Sequence, residues 1–195
     1  MDQGPQSRFG PDVRIDPAAF VHPTAQVYGD VALAAQASLW PNVVIRAESR
    51  PVRIGARTNI QDFVMIHIGG ATGTIVGEDC SITHHCTLHG CTIGDRVLVG
   101  IGSTIMDGCE VGANSIIAGH AFLREGTIVP PNSIVMGAPG KVVRERDNAV
   151  ANAMNAWMYA QNAAAFARGD HRLWASAAFA EAAKAARARL AALHG

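Results

Sequence analysis

Between Ile15 and Val135 an aliphatic residue returns every six positions, a period that neither a helix nor a plain strand can absorb. The first run is Ile15, Val21, Val27, Leu33, Leu39 and Ile45; shorter runs follow at Ile54, Ile60, Ile66 and at Val76, Ile82, Leu88. The last is Ile93, Val99, Ile105, Val111, Ile117, Leu123, Val129 and Val135. Four places after nearly every one sits a small or β-branched residue, such as Ala25, Ala37, Thr58, Cys80, Ser103, Cys109 and Ser133. A helix repeats its apolar face at about 3.6 residues and a strand at about 2. A six-residue repeat is the signature of a parallel β-helix, in which each hexad forms one flat side and three sides close a coil. The aliphatic residue points inward, the small residue fits where the prism narrows, and each coil leans on its neighbours. Periodicity by itself does not fix the handedness.

The turn cluster Gly137-Ala138-Pro139-Gly140 should end the coils. This divides the chain into a polar N-terminal segment, 1–12, a β-helix domain, 13–143, and a helical segment, 144–195. A first helix is expected from about Asp147 to Arg168, with Val150, Met154, Trp157, Met158 and Phe166 at helical spacing and Gly169 ending it. A second is expected from about Arg172 to Leu193, carrying Trp174, Phe179, Leu190 and Leu193. Both stripes read as packing faces. Sixteen basic residues balance sixteen acidic ones, so no basic face recruits nucleic acid or an anionic membrane. No apolar run has the length of a signal peptide or a bilayer span, which makes a cytoplasmic location the expectation. Charged residues are 16% of a chain that is 49% hydrophobic, which suggests that part of the outer surface is covered by other subunits. Of the four cysteines, Cys80, Cys86 and Cys109 fall in the small inward slot and Cys91 in the compressed turn His89–Ile93, so all four read as structural.

Grouping the hexads in threes gives the coils 15/21/27, 33/39/45, 54/60/66, 76/82/88, 93/99/105 and 111/117/123. His67 and His89 then follow the third aliphatic position of successive coils. They stack in one column, with rungs ~4.8 Å apart, close enough to share a metal ion. His84 lies five residues before His89 along one side. At ~3.3 Å per residue its Cα is about 16 Å away, beyond the roughly 13 Å that one zinc can bridge. A threefold assembly removes the difficulty by bringing His84 of one copy to His67 and His89 of another. Arg46 occupies the slot below His67 and Asp62 the slot below His84, so the two should meet across the same interface as a charge pair. Gln61, beside Asp62, would bring an amide to the open coordination position. His22, His120, His171 and His194 read as surface residues, and His85 is expected to point away from His84 on the opposite face of the strand.

The run Ile54-Gly55-Ala56-Arg57-Thr58-Asn59-Ile60-Gln61-Asp62, then His67, then His84-His85-Cys86-Thr87-Leu88-His89-Gly90-Cys91-Thr92-Ile93-Gly94 closely resembles the gamma-class carbonic anhydrases. With Gly29-Asp30 upstream and Gly137 to Lys141 downstream, the resemblance covers about residues 13 to 145. It implies an all-β, left-handed parallel β-helix with C-terminal helices, assembled as a homotrimer with zinc, or alternatively iron or cobalt, at each interface. It marks His67, His84 and His89 as ligands and Arg46, Gln61 and Asp62 as members of the site, with Asn59 beside them. Three neutral imidazoles leave a position for water whose pKa zinc lowers towards ~7, giving a hydroxide able to convert carbon dioxide reversibly to bicarbonate.

Similar proteins with high activity carry an acidic loop that exports protons. After His67 this chain has only Ile68-Gly69-Gly70-Ala71-Thr72-Gly73, and the usual Arg-Gly-Asp appears as Arg46-Ala47-Glu48. Tyr159 and Asn162 match polar residues that C-terminal helices of similar proteins bring near the metal. Weak activity is therefore the expectation for this chain, and two other readings stand beside it. One is an acyl-CoA thioesterase or acyltransferase on the same scaffold, against which the three histidines argue. The other is a metal-binding scaffold subunit without catalysis.

Overall fold

The computed structural model describes residues 9–194; of the 1–12 segment, positions 1–8 lie outside the described residues. The chain forms a parallel β-solenoid followed by two helices. Three columns of inward aliphatics run along it. The first stacks Ile15, Leu33, Ile54, Val76, Ile93, Val111 and Val129. The second stacks Val21, Leu39, Ile60, Ile82, Val99, Ile117 and Val135. The third stacks Val27, Ile45, Ile66, Leu88, Ile105 and Leu123. These are the columns the hexad register dictates. A slip by one residue would turn each aliphatic outward, so the alternation leaves one pairing. The small residues fill the interior beside them: Ala25, Ala37, Thr58, Cys80, Ser103 and Ser115 are fully buried.

The corners between faces are tight turns, many with a residue in the left-handed region, including Gln36, Asn42, Arg57, Phe63, Asp79 and His85. At two corners the strands do not break. Gln26–Leu33 and Val44–Ile54 run from the third face into the first, which merges those faces into one eleven-stranded sheet. The second face is the core of a separate eight-stranded sheet. Phe9 bridges to Val27 and packs against the core. At the other end the parallel rungs stop at the Gly137–Gly140 turn, where the sequence places the end of the coils. Strand Ser133–Met136 turns at Gly137–Gly140 and pairs antiparallel with Lys141–Glu145.

Helix α1, Ala149–Phe166, lies across the second face over strands Ser38–Leu39, Asn59–Ile60 and Ser81–Ile82. Its buried alanines, Ala149, Ala153, Ala156, Ala163 and Ala165, let the backbone approach closely. Its asparagines satisfy polar groups that the helix would otherwise desolvate. Asn152 Nδ2 donates to the carbonyls of Arg96 and Ser115 at 2.8 and 3.0 Å, and Asn155 Oδ1 accepts from Ser81 Oγ at 2.7 Å. Gly169, at φ +80°, follows the end of the helix as its sequence predicts.

The second helix begins later than its pattern suggests. Leu173–Ala175 is a 3₁₀ turn, and α2 runs Ala177–His194 because Ser176 Oγ accepts the Phe179 amide and caps it. Its packing face is narrower than expected: Phe179 and Ala186 are buried, while Trp174 and Leu193 are exposed. Phe179 stacks on Trp157 of α1. Among the described residues no helix is long and apolar enough to cross a membrane.

Candidate metal centre

The third inward column ends, on its outer side, in a row of polar groups. Strands Met65–His67 and Thr87–His89 pair in parallel with His67 directly opposite His89. The paired backbones hold the rings together: His67 Nδ1 lies 3.1 Å from His89 Nε2, and the ring centroids are 5.0 Å apart. Each ring gives its other nitrogen to a carboxylate. Glu48 Oε2 is 3.1 Å from His67 Nε2, and Asp107 Oδ1 makes a short contact with His89 Nδ1. Glu48 is held in turn by Arg46. Partial burial opposes ionisation of Glu48, but hydrogen bonds from its own backbone and from His67, with the charge of Arg46, outweigh it and keep the carboxyl below its usual range.

These contacts decide which nitrogens are free. An ionised carboxylate accepts only, so the proton of neutral His67 sits on Nε2 and that of neutral His89 on Nδ1. The two nitrogens that face each other then both present lone pairs. Two nitrogens placed this way at 3.1 Å are bridged either by a proton, with one ring cationic, or by a metal cation. Two nitrogens bound tetrahedrally to zinc at ~2.1 Å are ~3.4 Å apart, so the pair fits a metal of that size.

His84 sits at a different edge, in the turn after strand Ser81–Ile82, with Nδ1 3.1 Å from Asp62 Oδ2. Stacking of Asp62 under His84 follows the column expected from the hexads. His85 occupies the same turn at φ +60° and stacks on Phe63 at 4.9 Å. The pair is part of a corner and not of a strand, so strand alternation does not apply to it. Among the described residues of one chain, no three His, Cys, Asp or Glu side chains form a group that could hold a metal.

The remaining candidates lie on the second face, where α1 packs, and on α1 itself. Gln61 is buried and donates from Nε2 to Asn59 Oδ1 at 2.9 Å; Asn59 in turn donates to Ser81 Oγ and to the Cys80 carbonyl. Tyr159 of α1 stands edge-on to Trp40 and to Trp174, with ring centroids 5.6 and 5.3 Å apart. Burial raises its phenol above the usual value, and the charge of Asp62 adds to the effect. Asn162 is buried one turn further along, lining a cleft with Phe166 and Trp174. All four cysteines are free and buried. Asp107 is the site residue that the sequence reading missed. It lies one coil above Gly90 in the same stacking that pairs Leu88 with Ile105, so the column held the signal.

A family model for bacterial transferase hexapeptide (six repeats) matches residues 90–125. The Probable carbonic anhydrase of Methanocaldococcus jannaschii is 50% identical over 121 residues, covering 62% of this chain and 76% of that protein. The chain belongs to the gamma carbonic anhydrase family. Within the family, Gamma carbonic anhydrase 1, mitochondrial, of Arabidopsis thaliana is 38% identical over 99 residues, 48% of this chain and 36% of that protein. The chain spans about half or less of the length of the other curated relatives it matches. Among solved structures, a hexapeptide transferase family protein from Anaplasma phagocytophilum matches at 32% identity and a TM-score of 0.71, covering 80% of this chain and 92% of that one. Gamma carbonic anhydrases and proteins named as transferases thus share this scaffold.

Proposed function

We propose that this chain is a metal-dependent lyase that hydrates carbon dioxide reversibly to bicarbonate, working as a homotrimer with one zinc at each interface. Iron or cobalt would serve the same donors. The ligands are His67 and His89 of one copy and His84 of the next. The observation that carries this reading is the pair of imidazole nitrogens facing each other at 3.1 Å, each ring held from behind by a carboxylate.

When bound, zinc supplies Lewis acidity that brings the pKa of water towards ~7. The protein does the rest. Glu48 occupies the Nε2 side of His67 and leaves Nδ1 for the metal, and Asp62 occupies Nδ1 of His84 and leaves Nε2. Arg46 steadies Glu48 within its own chain and pairs with Asp62 of the next. Gln61, fixed by Asn59, orients the attacking oxygen or the bicarbonate through its amide. Tyr159, its ring held edge-on to Trp40 and Trp174, supplies a hydroxyl that orders solvent at the site.

Purified protein should contain about one zinc per chain, sediment as a trimer, and hydrate carbon dioxide in a stopped-flow indicator assay. His84→Ala should lose most of the zinc and the activity. Full zinc stoichiometry in that variant would remove His84 from the ligand set, and a monomer with bound zinc would refute the shared site. A second reading, hydrolysis or transfer of an acyl thioester, is favoured by the similarity to the Anaplasma transferase-family protein. Release of free thiol from acyl-CoA, without carbon dioxide hydration, would favour it; zinc without either activity would favour a scaffold role.

A further inference from the structure

We infer that Asp107 is the positioning residue that decides which nitrogen of His89 meets the metal, and that the short loop 68–73 is built to hold that carboxylate in place. The inference rests on the zinc reading above and extends it to a residue outside the ligand set. Asp107 Oδ1 contacts His89 Nδ1, which fixes the proton there and leaves Nε2 directed at His67. A metal-bound histidine that hands its far N–H to a carboxylate gains both basicity and a fixed ring orientation.

The carboxylate sits in a cradle of backbone. A Cβ on Gly69 would lie 2.8 Å from Asp107 Oδ1 and 2.6 Å from Thr72 Oγ1, and one on Gly90 would lie 2.5 Å from each of the same two atoms. Gly90 also sits at φ +57°, so a side chain there would be strained as well as crowded. The loop is stitched shut around this point: the Gly69 amide donates to the Thr72 carbonyl at 2.8 Å, and Thr74 Oγ1 donates to the His67 carbonyl at 2.6 Å. From the coil above, the Gly108 amide donates to the Gly90 carbonyl at 2.9 Å, tying Asp107 to the turn that follows His89. A loop with any bulkier residue at position 69 would push the carboxylate off the ring. Within the stretch after Ile68, Gly69 and Thr72 therefore form, with Gly90, the wall against which Asp107 is held.

The test compares wild type, Asp107→Asn and Gly69→Ala by zinc competition against a chromophoric chelator. Long-range ¹H–¹⁵N correlation of the histidine rings in the zinc-free protein gives the second readout. Asp107→Asn should bind zinc about 10–100-fold more weakly. Gly69→Ala should also bind more weakly although ligands and carboxylate are unchanged. In zinc-free wild type His89 should carry its proton on Nδ1, and the signal should move in both variants while far-UV circular dichroism does not. Both variants within twofold of wild-type affinity, or a His89 proton on Nε2 in wild type, would overturn the inference. Wild type that takes up no zinc would refute the metal reading and this inference with it; normal zinc uptake with unchanged variants refutes this inference alone.

Discussion

Replacing Leu88 by Ala tests whether the inward columns hold up the polar edge. Leu88 is fully buried, paired with Ile66 on one side and Ile105 on the other, and the next residue is His89. The hydrocarbon lost is equivalent to about 2.4 kcal/mol at ~0.8 kcal/mol per methylene. The main-chain ladders above and below keep the neighbours from closing the gap, so the cavity raises the total to about 3–4 kcal/mol. With a urea slope of about 2 kcal/mol/M, the unfolding midpoint should fall by about 1.5–2 M. Leu193→Ala is the same chemical change at a residue that is 67% exposed. It should stay within about 0.5 kcal/mol of wild type. Both are read by circular dichroism at one fixed protein concentration, because subunit association contributes to apparent stability. Equal midpoints for wild type and Leu88→Ala, or an equal loss for Leu193→Ala, would refute the argument.

Tyr159→Phe keeps the ring contacts with Trp40 and Trp174 and removes only the hydroxyl. Its unfolding midpoint should match wild type while carbon dioxide hydration slows severalfold, and unchanged turnover would take Tyr159 out of the site. Asp30 binds Arg53 and Arg14; the Arg53 hydrogen bond, partly opposed by burial and joined by Arg14, depresses its carboxyl below the usual range. The stabilisation should be complete above the ordinary carboxylate pKa of about 3.9 and disappear as pH falls through the depressed value. Thermal melts of wild type and Asp30→Asn should therefore differ at neutral pH and converge in acid; a pH-independent gap would contradict the assignment. Burial pushes the Cys80 thiol up to about 12, so little thiolate forms at pH 8. Ellman's reagent should label Cys80 only on unfolding, and rapid labelling of the native protein would show that the coil opens.

The three columns of the solenoid were readable because each demand on a hexad is local. A residue either fits the interior or does not, and the pairing of Ile66 with Leu88 and Ile105 follows from counting. The same counting put His67 opposite His89 and Asp62 beneath His84. The start of α2 was not read correctly, although Ser176 was visible as a cap, because the aromatic at Trp174 continued the helical spacing across it. Nor did spacing reveal the burial of Gln61, which depends on α1 lying across the second face and on contacts such as Ser81 with Asn155, 74 residues apart.

By itself the sequence determined the coil, its register and the column that brings two imidazoles together, since a period of six satisfied on three sides leaves one way to bury the aliphatics. Only the tertiary structure decided the direction of each imidazole. That choice rests on Glu48 and Asp107, which come from other coils and fix protons through contacts no periodicity encodes. Side-chain hydrogen bonds depend on ångström-scale placement, and that placement exists only once neighbouring coils have stacked.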